Sequence, residues 1–478
     1  MNWVLLKNSL LVSGVAALLA TVFGAIAALW ALGLERLGRR LVIVLAILSL
    51  ALPPFLVTNS WLDFLGPAGT WRKWLPPFFN IFSLGGTTWL LALLTWPIPF
   101  FGVLAAWQRL EPYQLDSDPA VTGGGLLRHL LLPLASPALL QAGLIAFVLA
   151  LNNFAIPAIL QVKVFPAETW VEFSANFNTI GALKLSWPLI FTPFVILLWL
   201  NRHQIAWPRL EGIVQARVFR RQLGAAWFRI TGFITIALFL VSAGLPLFQL
   251  FSTKRTWTEL PGALAAGQLA IWNSMLFAVS SASLLIGLCV LIVSSKSGRS
   301  QLTSGRVASP LLWLPFLTPG VLLGILLIAI FNRSFLAAFY QSAGIVILAL
   351  LIRYCGPGWT AISHALQGTD RNLLDAAELD GASHWQTLRY VQWLQIAPQL
   401  SAIWYVLFLL CLWDVESIVL IVPPGRETMA LRIFNLLHYG HNAQVNALCL
   451  TLLLLALAPL GLYLTSSTLR TRRKGALA

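Results

Sequence analysis

Long apolar runs separated by short polar segments constrain this chain more than any other feature of its sequence. Of the 478 residues, 58% are hydrophobic and 10% are charged, whereas soluble domains carry about 25% charged residues. A helix needs about 20 apolar residues to cross a bilayer, and eleven runs approach that length. They lie near residues 9–33, 41–62, 86–107, 137–160, 186–201, 230–251, 272–294, 310–331, 343–363, 399–421 and 444–466. The pattern predicts an all-α polytopic membrane protein with about 11 transmembrane helices.

Basic residues indicate how the predicted spans are oriented. The formal net charge is +15, but the lysines and arginines are scattered over short loops, which argues against a nucleic-acid partner. Cytoplasmic loops of membrane proteins are enriched in these residues. The clearest clusters lie in segments 36–40, 217–221 and 470–474. We therefore expect a protein embedded in a lipid bilayer with its C-terminus in the cytoplasm.

The two halves of the sequence repeat the same landmarks in the same order. Asn8 and Ser9 open the first run, and Asn273 and Ser274 open the seventh, at an offset of 265 residues. Six predicted spans separate the copies, and since six is even, both halves have the same orientation, as in a parallel repeat. The predicted domains are a first repeat of five spans (1–205), a linker with a connecting span (206–265) and a second repeat of five spans with a basic tail (266–478).

The longest polar interval of the second half, 369–398, carries a short helical pattern. Thr369 or Asp370 is suited to cap the start of the helix, and a glycine is suited to end it. The residues concerned are Asp375, Ala376, Ala377, Leu379 and Gly381. Small side chains let a helix backbone sink deep into a groove. Two interpretations of this interval are therefore open: an ordinary helical loop between membrane spans, or a surface that docks into a partner.

The order of these residues, with Val391 and Pro398 after them, resembles the EAA loop of permease subunits of bacterial ABC importers. Asp375 stands where that loop usually has Glu, and Trp393-Leu394 stands where Leu-Pro is usual. The fused two-half arrangement is similar to permeases of the ferric-iron and thiamine type. The resemblance implies the type I ABC importer transmembrane fold, a bacterial inner-membrane location and a cytoplasmic loop that couples the chain to an ATPase.

The resemblance also implies partners. Two copies of a cytoplasmic ABC ATPase would dock on the two repeat loops, and an extracytoplasmic solute-binding protein would deliver the solute. The sequence has no G-x-x-x-x-G-K-[ST] phosphate loop and no H-E-x-x-H zinc motif, and its four cysteines lack metal-ligand spacing. We expect no enzymatic activity of its own and no bound cofactor or metal ion; the partner subunits would use the ATP.

The first-half counterpart of the loop is 110–139. Its exit, Leu132-Pro133, follows the family pattern. Counted back from Pro133, however, Asp116 falls on an alanine position, Ala120 takes the place of the glycine, and Gly123 comes late. The resemblance therefore implies only the location of a docking helix in this loop. We expect the helix itself to be weakened or reshaped.

Charged residues inside the predicted spans require a structural or functional explanation, because inserting each one into a bilayer is disfavoured by about 2.5–3.5 kcal/mol. Asp414 and Glu416 lie in the tenth run, and Arg353 offers the opposite charge. One interpretation is a structural ion pair or hinge. The other is that the two acids face the translocation pathway and attract a cationic solute. The predicted first-half equivalents, Asn152 and Asn153, are uncharged, so such a pathway would be asymmetric.

Other function classes have less support from the residues. An ion-driven secondary transporter would need intramembrane acids, for which only Asp414 and Glu416 qualify, and a membrane-embedded enzyme would need a nucleophile or acid–base cluster that we do not find. His438 and His441 could share a metal ion on one helical turn or contact a binding protein. The resemblance favours ferric iron as the solute; thiamine, polyamines and phosphonates are the alternatives.

Overall fold

A computed structural model of the chain shows a helical protein. It describes residues 3–67, 69–72, 80–108, 110, 122–176, 179–202, 216–295, 311–439 and 444–475. Every regular element in these ranges is a helix, which confirms the all-α prediction. Seven of the described helices are long and apolar enough to cross a membrane, or up to ten if each of three bent pairs is one span. The fifth predicted run lies in the helix Thr179–Arg202, of which Ser186–Ile196 is a shorter apolar part.

The first half of the chain contains eleven helices in the described ranges. They are α1 (Trp3–Gly33), α2 (Arg36–Ala51), α3 (Pro54–Leu65), α4 (Leu84–Thr95), α5 (Pro97–Trp107), α6 (Gly124–Asn152), α7 (Ala155–Ile159), α8 (Phe165–Asn176), α9 (Thr179–Arg202), α10 (Ala216–Leu223) and α11 (Ala225–Ser252). Helices α6 and α11 each contain one π-helical turn, Leu127–Leu131 and Leu240–Gly244 respectively.

The second half continues with nine helices of four or more residues in the described ranges. They are α12 (Lys254–Ser295), α13 (Leu311–Leu317), α14 (Gly320–Phe331), α15 (Ala337–Tyr340), α16 (Ala343–Gln367), α17 (Arg371–Leu379), α18 (Thr387–Trp413), α19 (Met429–His438) and α20 (Val445–Gly475). The first turns of α18, Thr387–Gln392, are π-helical.

Three predicted spans are bent rather than straight. The angle is 84° between α2 and α3, 42° between α4 and α5, and 108° between α13 and α14. Pro53 caps α3 and Pro319 caps α14, while Pro97 is the first residue of α5. A proline lacks the N–H that an α-helix needs and its ring clashes with the preceding turn. The apolar runs identify the spans, and the prolines explain where they break.

Contacts divide the chain into two compact units. Unit 1 comprises Met1–Asn176, Lys184–Glu259 and Leu437–Asn446, and unit 2 comprises Phe177–Leu183, Leu260–Leu436 and Ala447–Ala478. In unit 1, α1 packs against α4, α5, α6 and α11. In unit 2, α16 packs against α14 and α18. The main division, after Glu259, lies inside the predicted linker segment 206–265.

The same hydrogen bonds recur in both units at the start of each repeat. The Ser9 hydroxyl accepts from the Phe165 N–H at 2.9 Å, and the Ser274 hydroxyl accepts from the Met429 N–H at 2.8 Å. In both cases the asparagine before the serine donates to the backbone carbonyl two residues before the amide donor. The Asn-Ser pairs that open the two repeats therefore make equivalent hydrogen bonds. These bonds attach the first helix of each repeat to a later segment of the same unit.

Candidate functional site

Helix α17 begins where the sequence predicts. The Asp370 carboxylate accepts a hydrogen bond from the Asn372 N–H at 2.9 Å, so Asp370 is the N-cap. The Asp370 N–H in turn donates to the Gln395 side-chain oxygen at 2.9 Å. The start of the short helix is thereby capped and tied to α18, one of the helices that are long and apolar enough to cross a membrane.

Gly381 ends α17 in a Schellman motif. Its φ is +72°, a conformation that favours glycine. The Gly381 N–H donates to the Glu378 carbonyl at 3.1 Å, and the Ala382 N–H donates to the Ala377 carbonyl at 2.9 Å, the two bonds that define this motif. A Cβ at position 381 would meet nothing within 4 Å. The requirement for glycine here is one of backbone conformation, not of space.

The outer face of α17 is apolar and exposed. Leu379 is 89% exposed and Leu373 is 51% exposed, and Ala376 lies between them at helical spacing and is also exposed. The opposite face, with Leu374 and Ala377, is half-buried. Leucines left uncovered on a helix that is capped at both ends are typical of a surface that contacts another protein.

Acidic residues accompany this apolar face. Asp375, Glu378 and Asp380 are all exposed. The predicted alanine-rich docking helix therefore has small and apolar side chains along one ridge, with carboxylates beside them. Its assignment to ATPase coupling stays a prediction at this point.

The first-half loop can be compared only in part, because Asp116 and Ala120 lie outside the described residues. Gly123 has a φ of +56°, and its N–H donates to the Gln222 carbonyl at 2.8 Å. This bond ties Gly123 to α10, which the sequence does not predict. Downstream the two loops are alike, since a π-helical turn precedes the 21 residues Leu132–Asn152 in α6 and the 21 residues Trp393–Trp413 in α18.

Arg353 lies in unit 2 at the sharp bend between α13 and α14. Its guanidinium donates to the Pro315 carbonyl at 2.7 Å and also to the Thr318 carbonyl. Pro319, four residues after Pro315, has no N–H, so the Pro315 carbonyl has no helical partner. Arg353 also forms an ion pair with Glu416 at 3.4 Å, and both side chains are largely buried. The arginine satisfies backbone groups that the bend exposes.

Asp414 is bound on several sides within the same unit. Its carboxylate accepts from the Tyr354 hydroxyl at 2.8 Å, from the Ser417 N–H at 2.8 Å and from the Ser417 hydroxyl at 2.9 Å. The segment also lies close to the start of α14, since a Cβ on Gly320 would lie 2.7 Å from the Ser417 nitrogen. These contacts favour the interpretation of Asp414, Glu416 and Arg353 as a structural cluster. That the acids attract solute stays a prediction.

The first-half equivalents differ from those predicted. Asp414 is the C-cap of α18 and Asn153 is the C-cap of α6, with ψ angles of 119° and 117°. The Asn153 side-chain oxygen accepts from the N–H three residues later at 3.1 Å, as the Asp414 carboxylate does. Asn153 therefore corresponds to Asp414, while Asn152, which is buried, precedes the cap. The counterpart of Glu416 is Ala155, so the first half has no equivalent of that acid.

Sequence reasoning did not identify Tyr354, Ser417 or the Thr318 carbonyl as parts of this cluster. The one available signal was Pro319, since a proline inside an apolar run predicts free carbonyl groups. Which side chain satisfies those groups depends on the approach of a helix that is more than 30 residues away along the chain.

Comparisons with known proteins extend over most of the chain. Residues 291–412 match the family described as "Binding-protein-dependent transport system inner membrane component". This segment contains α17, Gly381 and Arg353.

Relatives fall into two groups by coverage. The ferric transport system permease protein FbpB of Actinobacillus pleuropneumoniae is 22% identical over 91% of this chain and 67% of its own length. The protein named FbpB 1 of Haemophilus influenzae is 24% identical over 90% of this chain and 71% of its own length. The spermidine/putrescine transport system permease protein PotC of Escherichia coli is 28% identical, but over 31% of this chain and 55% of its own length.

Proposed function

We propose that this chain, which resembles the inner-membrane components of binding-protein-dependent transport systems over residues 291–412, forms the solute pathway of an ATP-driven importer. We propose further that it receives force through the loop 369–398. Permeases of this family work with an ATPase and a solute-binding protein. Hydrolysis in the ATPase would displace α17, and α18 would transmit the displacement to the helices of unit 2.

The observation that carries this proposal is the exposed apolar ridge on α17. The helix has only nine residues, too few to be stable alone in water. Its two caps and the bond from Asp370 to Gln395 nevertheless hold it in place. A short helix fixed in this way, with Leu379 uncovered, is suited to dock as a rigid body. It also lies in the segment that matches the family.

The arrangement of partners follows from the repeat. Two repeat loops, 110–139 and 369–398, would dock two copies of the ATPase, one copy per loop. Both loops would face the cytoplasm together with the C-terminus, because the basic clusters lie on that side. The first loop would bind less tightly, since it lacks the acidic-Ala-Ala and glycine pattern of the second.

Ferric iron is the solute that we propose first. The support is the span of the similarity, since relatives named for ferric transport or as FbpB match 90% or more of this chain. The polyamine permeases named PotC match 31% to 38% of it, and PhnV, named for 2-aminoethylphosphonate transport, matches 47%. Phosphonates and polyamines are therefore the next candidates, and thiamine follows.

Reconstitution tests both parts of the proposal. The chain is inserted into proteoliposomes with its ATPase and its binding protein, and uptake of radiolabelled ferric iron and of spermidine is measured with ATP or a non-hydrolysable analogue inside. We expect that one of the two solutes is taken up and that its uptake requires ATP hydrolysis. Uptake that continues without ATP and collapses with an uncoupler would instead indicate an ion-driven secondary transporter.

A further inference from the structure

Unit 1 contains a cavity of about 600 Å³ that none of the features above explains. It lies where α3, α7 and α11 end, beside Leu437 and His438 of the same unit. Its volume is in the range of about 300–1,000 Å³ that small-molecule sites occupy. Its walls combine aromatic rings, including Phe64, Phe82 and Phe248, with a few polar side chains. This mixture is typical of sites that orient a ligand by a small number of polar contacts.

Asp63 and Gln249 form the polar centre of the cavity. The Gln249 amide nitrogen donates a short hydrogen bond to the Asp63 carboxylate. Because a carboxylate only accepts, this bond fixes the orientation of the amide. The Gln249 side-chain oxygen is buried and has no hydrogen-bond partner among the residues that the structure describes, and Gln249 is 6% exposed. An unsatisfied buried acceptor is disfavoured by about 1–3 kcal/mol, so a ligand that donates a hydrogen bond to this oxygen would be stabilised.

Gln161 lines the same cavity in an unusual backbone conformation. Its φ is +55°, the only positive φ of a non-glycine residue among the described residues. The chain leaves α7 with the same pair of hydrogen bonds that ends α17: the Gln161 N–H donates to the Ala158 carbonyl, and the Val162 N–H donates to the Pro157 carbonyl. Glycine suits such a position better. Glutamine at this position places an amide group at the cavity wall, although its positive φ strains the backbone.

The electrostatics of the cavity are opposite to those of the chain. The described residues of the lining include one carboxylate, Asp63, and no lysine or arginine, although the whole chain has a net charge of +15. Arg255 is close enough to attract Asp63 but does not line the cavity. His438 completes the polar lining, with its ring edge-on to Trp170 at 5.6 Å.

From these observations we propose that the cavity is a binding site for a cationic group that donates hydrogen bonds. Such a group would pair with Asp63, satisfy the free oxygen of Gln249 and lie against the aromatic walls, where cations are attracted to ring faces. Two sources share this chemistry. One is the ammonium group of an organic amine. The other is a metal complex, in which the ligands already bound to the metal ion donate the hydrogen bonds. Within the described residues no three metal-ligating side chains come together, so the metal ion would keep those ligands.

In the proposed import function, the solute would occupy this site early in its passage through the chain. This role of the site rests on the proposed function. Binding to the chain alone is nevertheless independent of coupling. A chain that binds cations but fails to associate with an ATPase would contradict the proposed function only. A chain that couples normally but binds no cation would contradict the site only.

The experiment measures binding to the full chain in phosphatidylcholine nanodiscs by isothermal titration calorimetry at constant ionic strength. The probes are spermidine, a trivalent organic amine, and hexaamminecobalt(III), a compact trivalent complex that donates through bound ammonia. We expect one saturable site for at least one probe. Asp63→Asn keeps an acceptor for Gln249 but removes the charge, and should weaken binding about tenfold or more.

Two further variants separate binding from stability and from general charge. Glu259→Gln removes an acid that does not line the cavity and should leave the affinity unchanged. Gln161→Gly should weaken binding about two- to tenfold, as expected for one neutral hydrogen bond, while the thermal midpoint stays equal or rises because the backbone strain is relieved. A merely structural role of Gln161 would not separate these two measurements.

Each outcome decides something. Binding of spermidine alone supports an organic amine as the ligand, binding of the cobalt complex alone supports a metal complex, and binding of both supports the shared chemistry. The proposal is overturned if neither probe binds above empty nanodiscs. It is equally overturned if Asp63→Asn binds like the unchanged chain, or if Glu259→Gln lowers the affinity as much as Asp63→Asn.

Discussion

Replacing Leu379 by alanine is expected to weaken the complex between this chain and its ATPase without altering the fold. Full burial of a leucine side chain is worth about 1.5–3 kcal/mol, and 89% of Leu379 is exposed in the free chain. If docking covers it completely, alanine loses about 2 kcal/mol of binding free energy, or about thirtyfold in Kd. Leu373, which is 51% exposed, should lose about half that free energy when replaced by alanine, or about fivefold in Kd.

The assay compares association and transport in the same preparation. Solubilised variants are titrated with the purified ATPase, and uptake is then measured in proteoliposomes at saturating ATPase. The matched control is Leu37→Ala, because Leu37 is 83% exposed but belongs to α2 and not to the loop. Both variants should keep the thermal midpoint of the unchanged chain, since substitutions of exposed side chains shift stability by about 0.5 kcal/mol or less.

The refuting result is specific. If Leu379→Ala binds the ATPase as tightly as the unchanged chain, the exposed ridge on α17 is not the docking surface. If Leu37→Ala weakens binding to the same degree, the loss reflects general apolar area and the assignment to α17 fails as well. A lower thermal midpoint for Leu379→Ala would contradict the premise that nothing in the chain covers this side chain.

Two further predictions concern the backbone of the loop and the intramembrane cluster. Gly381→Val should strain the positive φ by about 1–2 kcal/mol, while Gly381→Asn should be tolerated better; limited proteolysis of the loop should detect the difference, and equal cleavage would contradict it. Arg353→Met should lower stability by about 3–5 kcal/mol because Glu416 is left buried without its partner, and adding Glu416→Gln should restore part of the loss in thermal unfolding. Strictly additive losses would rule out coupling between these two residues.

Several features of the fold were predictable because they depend on neighbouring residues only. The apolar runs predict helical spans because an unpaired backbone group in lipid is too unfavourable for any other local structure. Asp370 and Gly381 mark the ends of α17 for reasons that lie within three or four residues of each position. The serine that opens each repeat was visible as a landmark, although its hydrogen-bond partner was not.

Other features could not be read from local pattern. Prolines in the apolar runs predict kinks, but they do not predict that α13 and α14 meet at 108°. Nor do they predict that Arg353 of α16 donates hydrogen bonds to the carbonyl groups at this bend. The sequence paired Asn152 and Asn153 with the two acids. The cap geometry instead shows that Asn153 corresponds to Asp414. Residues that act together in these cases belong to different helices.

The amino-acid sequence by itself determined that this protein lies in a membrane, that it consists of two similar halves and that one capped polar loop interrupts the second half. Each of these properties follows from composition or from short-range hydrogen bonding. Tertiary structure alone decided which polar groups meet. Asp63 and Gln249 are 186 residues apart in the chain, and no periodicity or spacing indicates such a pair. Only the packing of α3 beside α11 brings them together, because contacts between helices depend on the shape of the whole unit.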